Sequence, residues 1–198
     1  MTWLPSAAAV HASLEVAAAI LAVAIVLSSL DDLFIDAWYW CRRVLRWWRL
    51  ERTGRLRPLT ADQLHAAAQQ PIAIMVPAWK ESDVIAAMVE NMVQVLDYQH
   101  YTVFIGTYVN DPATIEEVER MCRRYRQVRR VEVPHPGPTC KADCLNFVVE
   151  AIFAHERETG VPFAGVVLHD SEDVLHPLEL KFFNYLLPRK DMIQLPVA

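Results

Sequence analysis

The chain has 198 residues, of which 54% are hydrophobic and 22% are charged, with a formal net charge of −5. This composition excludes an intrinsically disordered protein and fits one globular domain of ordinary size with an appendage. The five glycines are scattered, so the sequence has neither a G-x-G-x-x-G dinucleotide fingerprint nor a Walker-type phosphate loop.

The first segment is predicted to cross a membrane. Residues 7–30 are apolar except for His11, Glu15 and three serines. A helix over this segment would span roughly 36 Å, enough for a hydrocarbon core of about 30 Å. A signal peptide would begin with basic residues, and none precedes Arg42. A buried helix of a soluble protein is the alternative, because alanine dominates the segment.

A basic and aromatic segment follows. Residues 42–57 contain seven arginines, and five aromatic residues lie beside them: Trp38, Tyr39, Trp40, Trp47 and Trp48. This pattern is typical of a membrane interface with a cytoplasmic flank, and it predicts an amphipathic juxtamembrane helix over 31–52. By the positive-inside rule, residues 42–198 are cytoplasmic and the N-terminus lies on the other side. Residues 58–198 carry 12 basic against 19 acidic side chains, which disfavours nucleic-acid binding.

From residue 58 onwards, predicted strands and helices alternate. The strands are predicted over 71–77, 101–108, 128–134 and 162–170, with another beginning near 193. The helices are predicted over 61–69, from a Ser82 cap to about 96, from a Thr114–Glu117 capping box to about 126, over 141–158 and over 178–187. This alternation indicates an α/β fold with a mostly parallel sheet and flanking helices. The chain is therefore predicted to divide into residues 1–57 and 58–198.

Acidic side chains follow three of the predicted strands. Glu81 comes shortly after the first strand, Asp111 after the second and Asp170 after the fourth. Ligands of parallel sheets bind beyond the carboxyl ends of the strands. We therefore expect these three carboxylates to converge on one cleft.

The sequence also predicts a metal and phosphate site. Asp170, Glu172 and Asp173 lie within four residues, and such oxygen ligands suit Mg²⁺ or Mn²⁺ bridging a diphosphate. Their spacing leaves open which of them bind the metal directly, and a solvated acidic loop is the alternative. Lys141 begins a predicted helix, a position that suits phosphate, and Asp143 could orient it. A solvent-facing lysine is the alternative there.

Four motifs in the same order resemble family 2 glycosyltransferases. Residues 77–81, Pro-Ala-Trp-Lys-Glu, match the Pro-x-x-Asn-Glu turn with lysine in place of asparagine, and Asn110-Asp111 matches the strand-end acid that reads the base. Residues 141–146 match a Lys-Ala-Asp-Ala-Leu-Asn helix start, and residues 170–173 match an Asp-Ala-Glu-Asp metal motif. The leading helix with Asp-Asp-Leu-Phe-Ile-Asp at 31–36 resembles a membrane-bound group of the family linked to bacteriophage adsorption.

The resemblance implies a GT-A, Rossmann-like fold and inverting transfer of a hexose or N-acetylhexosamine to a growing polysaccharide. It implies a nucleotide-diphosphate sugar, UDP-linked, as donor, a divalent metal (Mg or Mn), a carbohydrate acceptor, and an outer-membrane export or receptor partner. It places the chain in the bacterial inner membrane with a periplasmic N-terminus. The implied donor-binding residues are Pro77, Ala78, Glu81, Asp111, Lys141, Asp143 and Asp170, and the implied metal ligands are Asp170, Glu172 and Asp173.

One expected element has no match in the sequence. The catalytic base of the family is a carboxylate on a later element, and nothing from Asp191 to Ala198 resembles it. The base is therefore expected beyond Ala198, and we expect this chain to be a donor-binding half that does not transfer sugar alone. Two other functions stay open: a non-catalytic, membrane-anchored binding or receptor-scaffold module with a vestigial acidic cleft, and another α/β enzyme such as a metal-dependent phosphohydrolase.

Overall fold

The computed structural model describes residues 7–52 and 59–195. The chain divides into two units, with the boundary between residues 58 and 59. The first unit is a single helix, α1 (Ala7–Arg52). The membrane-spanning helix predicted over 7–30 and the juxtamembrane helix predicted over 31–52 are both helical and continuous, because residues 28–34 contain neither glycine nor proline to end a helix. Ser29 Oγ donates to the Ile25 carbonyl at 2.9 Å within the continuous helix.

Helix α1 has the length and composition to cross a membrane. Its aromatic and basic side chains contact one another along its surface. The Arg43 guanidinium lies 5.7 Å from the ring centre of Trp40 and donates to the Tyr39 hydroxyl at 2.8 Å. Arg42 lies 5.9 Å from the ring centre of Trp38. These cation–π pairs join the basic and aromatic residues into one surface.

The second unit is an α/β domain. Its elements are α2 (Ala61–Ala66), β1 (Ile72–Ala78), α3 (Ile85–Val95), β2 (Tyr101–Tyr108), α4 (Pro112–Arg124), β3 (Val128–Val133), α5 (Lys141–Thr159), β4 (Gly165–Leu168), α6 (Glu179–Leu186) and a 3-10 turn (Leu187–Arg189). The four strands are all parallel, in the order β3-β2-β1-β4. The predicted α/β class with a parallel sheet is confirmed.

Helices cover both faces of the central strand β1. Ile72, Ile74 and Val76 pack in a core with α3, α4 and α6, whereas Ala73 packs against α5 on the opposite face. This burial explains the unbroken apolar run of β1, because a parallel strand with both faces covered has no solvent side. The neighbouring edge strand β4 is less covered: Val166 and Leu168 are exposed.

Helix α5 lies unusually close to β2, at Gly106. A Cβ added at this glycine would lie 3.0 Å from Val148 Cγ2 and closer still to Cys144 Sγ. A larger residue at 106 would therefore push α5 away from the sheet. Burial raises the pKa of the Cys144 thiol to about 11, so this side chain acts as a small apolar group. The close contact fixes the height at which α5 begins above the strand ends.

Two predicted helix starts are wrong. Helix α3 begins at Ile85, not after a Ser82 cap, because residues 81–84 form a turn in which the Glu81 carbonyl accepts from Val84 N at 3.1 Å. Helix α4 begins at Pro112, before the predicted Thr114–Glu117 capping box. Asp111 caps it instead, since its side chain accepts from Thr114 N, and proline is favoured at the first helical position.

Two other elements differ in extent from the prediction, and one predicted strand does not form in the described residues. Helix α2 ends at Ala66 instead of 69, and β4 covers Gly165–Leu168 instead of 162–170. Residues 193–195 form no strand. The last part of the strand predicted there, up to Ala198, lies outside the described residues.

Candidate functional site at the carboxyl edge of the sheet

The predicted site residues lie at one edge of the sheet. Pro77 and Ala78 end β1, where they pair with Gly106 and Thr107 of β2. The carboxyl ends of β1, β2 and β4 are neighbours because β1 pairs with both of the other strands. The side chains that follow them form three hydrogen-bonded groups.

The first group joins the ends of β1 and β2 around Asp111. The buried Asp111 carboxylate accepts from Lys80 N at 2.6 Å and from Thr114 N at 3.4 Å. Thr114 Oγ1 in turn accepts from Glu81 N at 3.0 Å. Asp111 therefore holds the loop after β1 and caps α4 at the same time.

Two features of this first group bear on a ligand. Lys80 has a φ of 58°, in the left-handed region that a non-glycine residue rarely adopts. The bond from its N–H to Asp111 helps to hold it there. The Glu81 side chain makes no hydrogen bond or ion pair within residues 59–195, so its half-buried carboxylate is the one in this group that remains able to contact a ligand.

The second group orders the loop between β3 and α5. The Tyr108 hydroxyl lies 2.7 Å from Thr139 Oγ1. The Thr139 hydroxyl in turn donates to Asp143 Oδ2 at 2.7 Å. His135 Nε2 lies 3.1 Å from the same carboxylate oxygen. Burial raises the pKa of Tyr108, so it stays a neutral hydrogen-bonding group at physiological pH. Asp143 is engaged in this loop, and no contact joins it to Lys141.

The third group is the acidic loop after β4. The Lys141 ammonium at the start of α5 forms an ion pair with Asp170 Oδ1. Asp170 N donates to Asp173 Oδ2 at 2.8 Å. The same oxygen lies 3.3 Å from His169 Nδ1, and His169 Nε2 lies 3.3 Å from Glu179 Oε1 in α6. Glu172 is exposed and has no partner in the described part of the chain.

A groove of about 840 Å³ opens beside this third group. Lys141, Asp170, Asp173, Glu179 and Lys190 line it together with apolar residues of β4 and the chain after α6. The groove therefore presents both cationic and anionic side chains. Glu81 and Asp111 lie at the same sheet edge but outside this groove, so the contacts do not gather all three strand-end acids in it.

No group of three His, Cys, Asp or Glu side chains is gathered around a metal position in residues 7–52 and 59–195. Asp170 pairs with Lys141, and Asp173 is bonded within its own loop. The oxygen donors of Asp170 and Glu172 suit a hard divalent cation. The assignment of Asp170, Glu172 and Asp173 as metal ligands stays a prediction.

The catalytic base has no assigned residue. The position of the base stays a prediction.

Sequence reasoning overlooked two buried residues of the site, His169 and Glu179. They are 5% and 9% exposed. His169 reads as the end of a strand, and Glu179 reads as the polar start of an apolar helix, so neither position carries a signal of its own. Only the packing of α6 beneath the acidic loop makes them neighbours.

Comparisons with known proteins identify the family of the chain. The sequence model described as glycosyltransferase like family 2 matches residues 69–197. Two relatives are 48% identical over 184 residues: bacteriophage adsorption protein B of Escherichia coli strain K12 and bacteriophage N4 adsorption protein B of Escherichia coli O157:H7. Each match covers 93% of this chain and 24% of the relative, so the chain spans about a quarter of their length.

A comparison with solved structures matches a mannosyltransferase, PcManGT from Pyrobaculum calidifontis in complex with GDP-Man and Mn2+. It is 18% identical with a TM-score of 0.48, over 76% of this chain and 41% of that chain. The resemblance inferred from the four sequence motifs is confirmed by the family match, which covers more than half of the chain. The chain belongs to the glycosyltransferase like family 2.

Proposed function

We propose that the chain is the donor-binding part of a membrane-bound, inverting glycosyltransferase. Its donor would be a nucleotide-diphosphate hexose or N-acetylhexosamine, UDP-linked, and its acceptor a growing polysaccharide. The family supports sugar transfer. The observation that carries the donor site is the ion pair between Lys141, at the start of α5, and Asp170, just after β4. A cation and a carboxylate then meet at the sheet edge where parallel folds bind ligands.

The described side chains suggest a division of roles toward this donor. Lys141 and the first N–H groups of α5 would bind phosphate oxygens, because a helix N-terminus carries partial positive charge. The free carboxylate of Glu81 would bind the nucleoside. Asp111 would shape the nucleoside site through the loop after β1, and Pro77 and Ala78 would form its floor. Asp143 would order the loop before α5.

Asp170 and Glu172 would hold the divalent metal, since both present oxygen donors on the same loop. When bound, the metal would neutralise negative charge on the leaving nucleoside diphosphate. Lys141 would exchange its carboxylate partner Asp170 for a phosphate oxygen as the donor binds. Lys141 and the acidic loop would therefore act on the diphosphate together, Lys141 directly and the loop through the metal.

The test is nucleotide binding by the full chain in detergent. We expect calorimetry to detect Mn²⁺-dependent binding of UDP, with GDP measured separately as the alternative base. Asp170→Asn is expected to weaken this binding at least tenfold, because it removes a charged metal ligand. Asp62→Asn, at an exposed carboxylate on α2, is the matched control. Wild-type affinity in Asp170→Asn would contradict the site.

We also propose that α1 anchors the protein in the bacterial inner membrane, with a periplasmic N-terminus and residues 42–198 in the cytoplasm. The apolar length of α1 and the arginines that follow its apolar part support this orientation. Protease digestion of spheroplasts checks it: the domain after residue 58 should resist digestion until the membrane is permeabilised. Digestion in intact spheroplasts would reverse the orientation.

The chain covers about a quarter of its relatives, and we propose that it binds donor while transfer needs more of the protein, including a base beyond Ala198. The names of these relatives, which refer to bacteriophage adsorption, favour a second candidate function. In it the chain is a membrane-anchored receptor scaffold with an outer-membrane partner. The two differ in one measurement. A scaffold with a vestigial cleft would bind neither UDP nor GDP in the presence of Mn²⁺, whereas a donor-binding domain would bind at least one of them.

A further inference from the structure

We propose that His169 and Asp173 are positioning residues that hold Asp170 in place, with the backbone of His169 bonded to β1. This inference rests on the proposed function, because Asp170 matters there as a ligand of the metal and diphosphate. It separates the three clustered carboxylates into two roles. Asp170 pairs with the Lys141 ammonium, whereas Asp173 supports the loop through its hydrogen bond to Asp170 N.

The contacts of Asp173 lie within its own loop. Its Oδ2 accepts from Asp170 N at 2.8 Å and lies 3.3 Å from His169 Nδ1. Asp173 N donates back to the Asp170 carbonyl at 3.2 Å, which closes a tight turn. The Asp170 main chain is thus fixed on two sides, while its carboxylate stays available to Lys141. An oxygen that already accepts from Asp170 N and lies beside His169 Nδ1 is a poor candidate for a metal ligand.

His169 links this turn to the interior. It is buried, its N–H donates to the Met75 carbonyl of β1 at 3.0 Å, and its Nε2 lies 3.3 Å from Glu179 Oε1. Glu179 is itself buried at the start of α6, next to Leu180 of the main core. Among the described residues His169 Nε2 makes no hydrogen bond, and the nearby Glu179 carboxylate is the group that faces it. The row Asp173–His169–Glu179 therefore places the acidic loop directly against the start of α6.

Glu172 completes the division. It lies between Asp170 and Asp173, yet it is exposed and unpaired among residues 59–195. Its side chain makes none of the contacts that hold Asp173 in the row. Metal sites lose about 10–100-fold in affinity when such supporting residues are removed.

The experiment compares His169→Ala, Asp173→Ala and Asp173→Asn in the full chain in detergent. Val174→Ala is the matched control, because Val174 lies in the same loop and is 94% exposed. Calorimetry measures Mn²⁺-dependent UDP and GDP affinity, and amide hydrogen exchange by mass spectrometry follows residues 169–174 against β1. We expect both alanine variants to weaken binding about tenfold or more and to speed exchange in the loop but not in β1.

Asp173→Asn keeps an oxygen that accepts from Asp170 N, so we expect it to restore slow exchange and most of the affinity. Wild-type affinity and exchange in the alanine variants would overturn the inference. So would an Asp173→Ala variant that loses binding with unchanged exchange, because Asp173 would then be a ligand. If the wild-type chain binds neither nucleotide, the proposed function fails, and loop exchange alone decides whether the row holds Asp170. Faster exchange in both the loop and β1 would mean general unfolding and would also refute it.

Discussion

Asp111 should stabilise the fold in addition to shaping the proposed nucleoside site. Its buried carboxylate spans two elements: one oxygen accepts from Lys80 N at 2.6 Å and the other from Thr114 N at 3.4 Å. Replacement by alanine removes a helix cap and a charged bond across the strand ends. We therefore expect Asp111→Ala to lower stability before any effect on nucleotide binding is considered.

The magnitude follows from the two bonds. Loss of an N-cap costs about 1 kcal/mol, and a hydrogen bond to a charged group contributes about 1.5–3 kcal/mol. Lys80 is exposed, so water can replace part of the second bond. Asp111→Ala should then lower the free energy of unfolding by about 2–4 kcal/mol. Asp111→Asn keeps one acceptor oxygen without its charge and should cost about 1 kcal/mol.

Pulse proteolysis in urea measures this loss for the domain after residue 58 without interference from α1. Glu116→Gln, an exposed acid on the same helix α4, is the control and should change stability by less than about 0.5 kcal/mol. An Asp111→Ala variant as stable as this control would refute the reasoning. Lost UDP binding in such a stable variant would instead assign Asp111 to the ligand alone.

Three further changes test the fold around the site, all by the same urea assay. Gly106→Ala should cost about 1–3 kcal/mol through overlap with Cys144, and adding Cys144→Ala should recover part of the loss. Lys80→Asn should gain about 0.5–1 kcal/mol, because asparagine tolerates the φ of 58° better than lysine does. The hydrogen bond from Lys181 lowers the pKa of Asp97 below its ordinary 3.8. The stabilisation is fully present above pH 3.8, the unfolded pKa, and is lost as the pH falls through the lower pKa of the folded chain. Asp97→Asn should therefore make stability depend less steeply on pH in acid.

Each of these changes has an outcome that contradicts it. Purely additive losses in the Gly106 and Cys144 pair would mean that α5 does not press on β2. A less stable Lys80→Asn variant would mean that the lysine side chain makes stabilising contacts that asparagine lacks. Parallel acid limbs for wild type and Asp97→Asn would mean that Asp97 titrates alike in the folded and unfolded chains.

The sheet was largely predictable because its signals are local. Residues 71–77 read as one apolar run and form β1 one residue later, at Ile72–Ala78. Helix ends were less predictable, because two nearby caps compete. Asp111 with Pro112 outcompetes Thr114 with Glu117, and the sequence alone does not rank them. The boundary predicted near residue 30 came from the basic and aromatic residues that follow it. Such residues alter the surroundings of a helix but do not end its hydrogen-bonded backbone.

The site was predictable as residue types but not as pairs. Lys141 and Asp170 were both expected at the sheet edge, yet nothing in a spacing of 29 residues shows that they form an ion pair. Asp143 was expected beside Lys141 because it is near in sequence, but at i and i+2 on a helix two side chains face apart. Its partner Thr139 precedes the helix. Such pairings depend on how α5 rests on the sheet, which no local pattern encodes.

The pairing of Lys141 with Asp170 has a consequence for the order of binding. If Asp170 binds a metal, as proposed above, that metal would compete with the Lys141 ammonium for the carboxylate. A bound diphosphate would offer Lys141 another anion and would thereby release Asp170. Metal and nucleotide should then bind cooperatively, since each removes a cost from the other. Mn²⁺ affinity, followed by the electron paramagnetic resonance of the free ion, should rise when UDP is added. An equal affinity with and without UDP would show that Lys141 and the metal do not share Asp170.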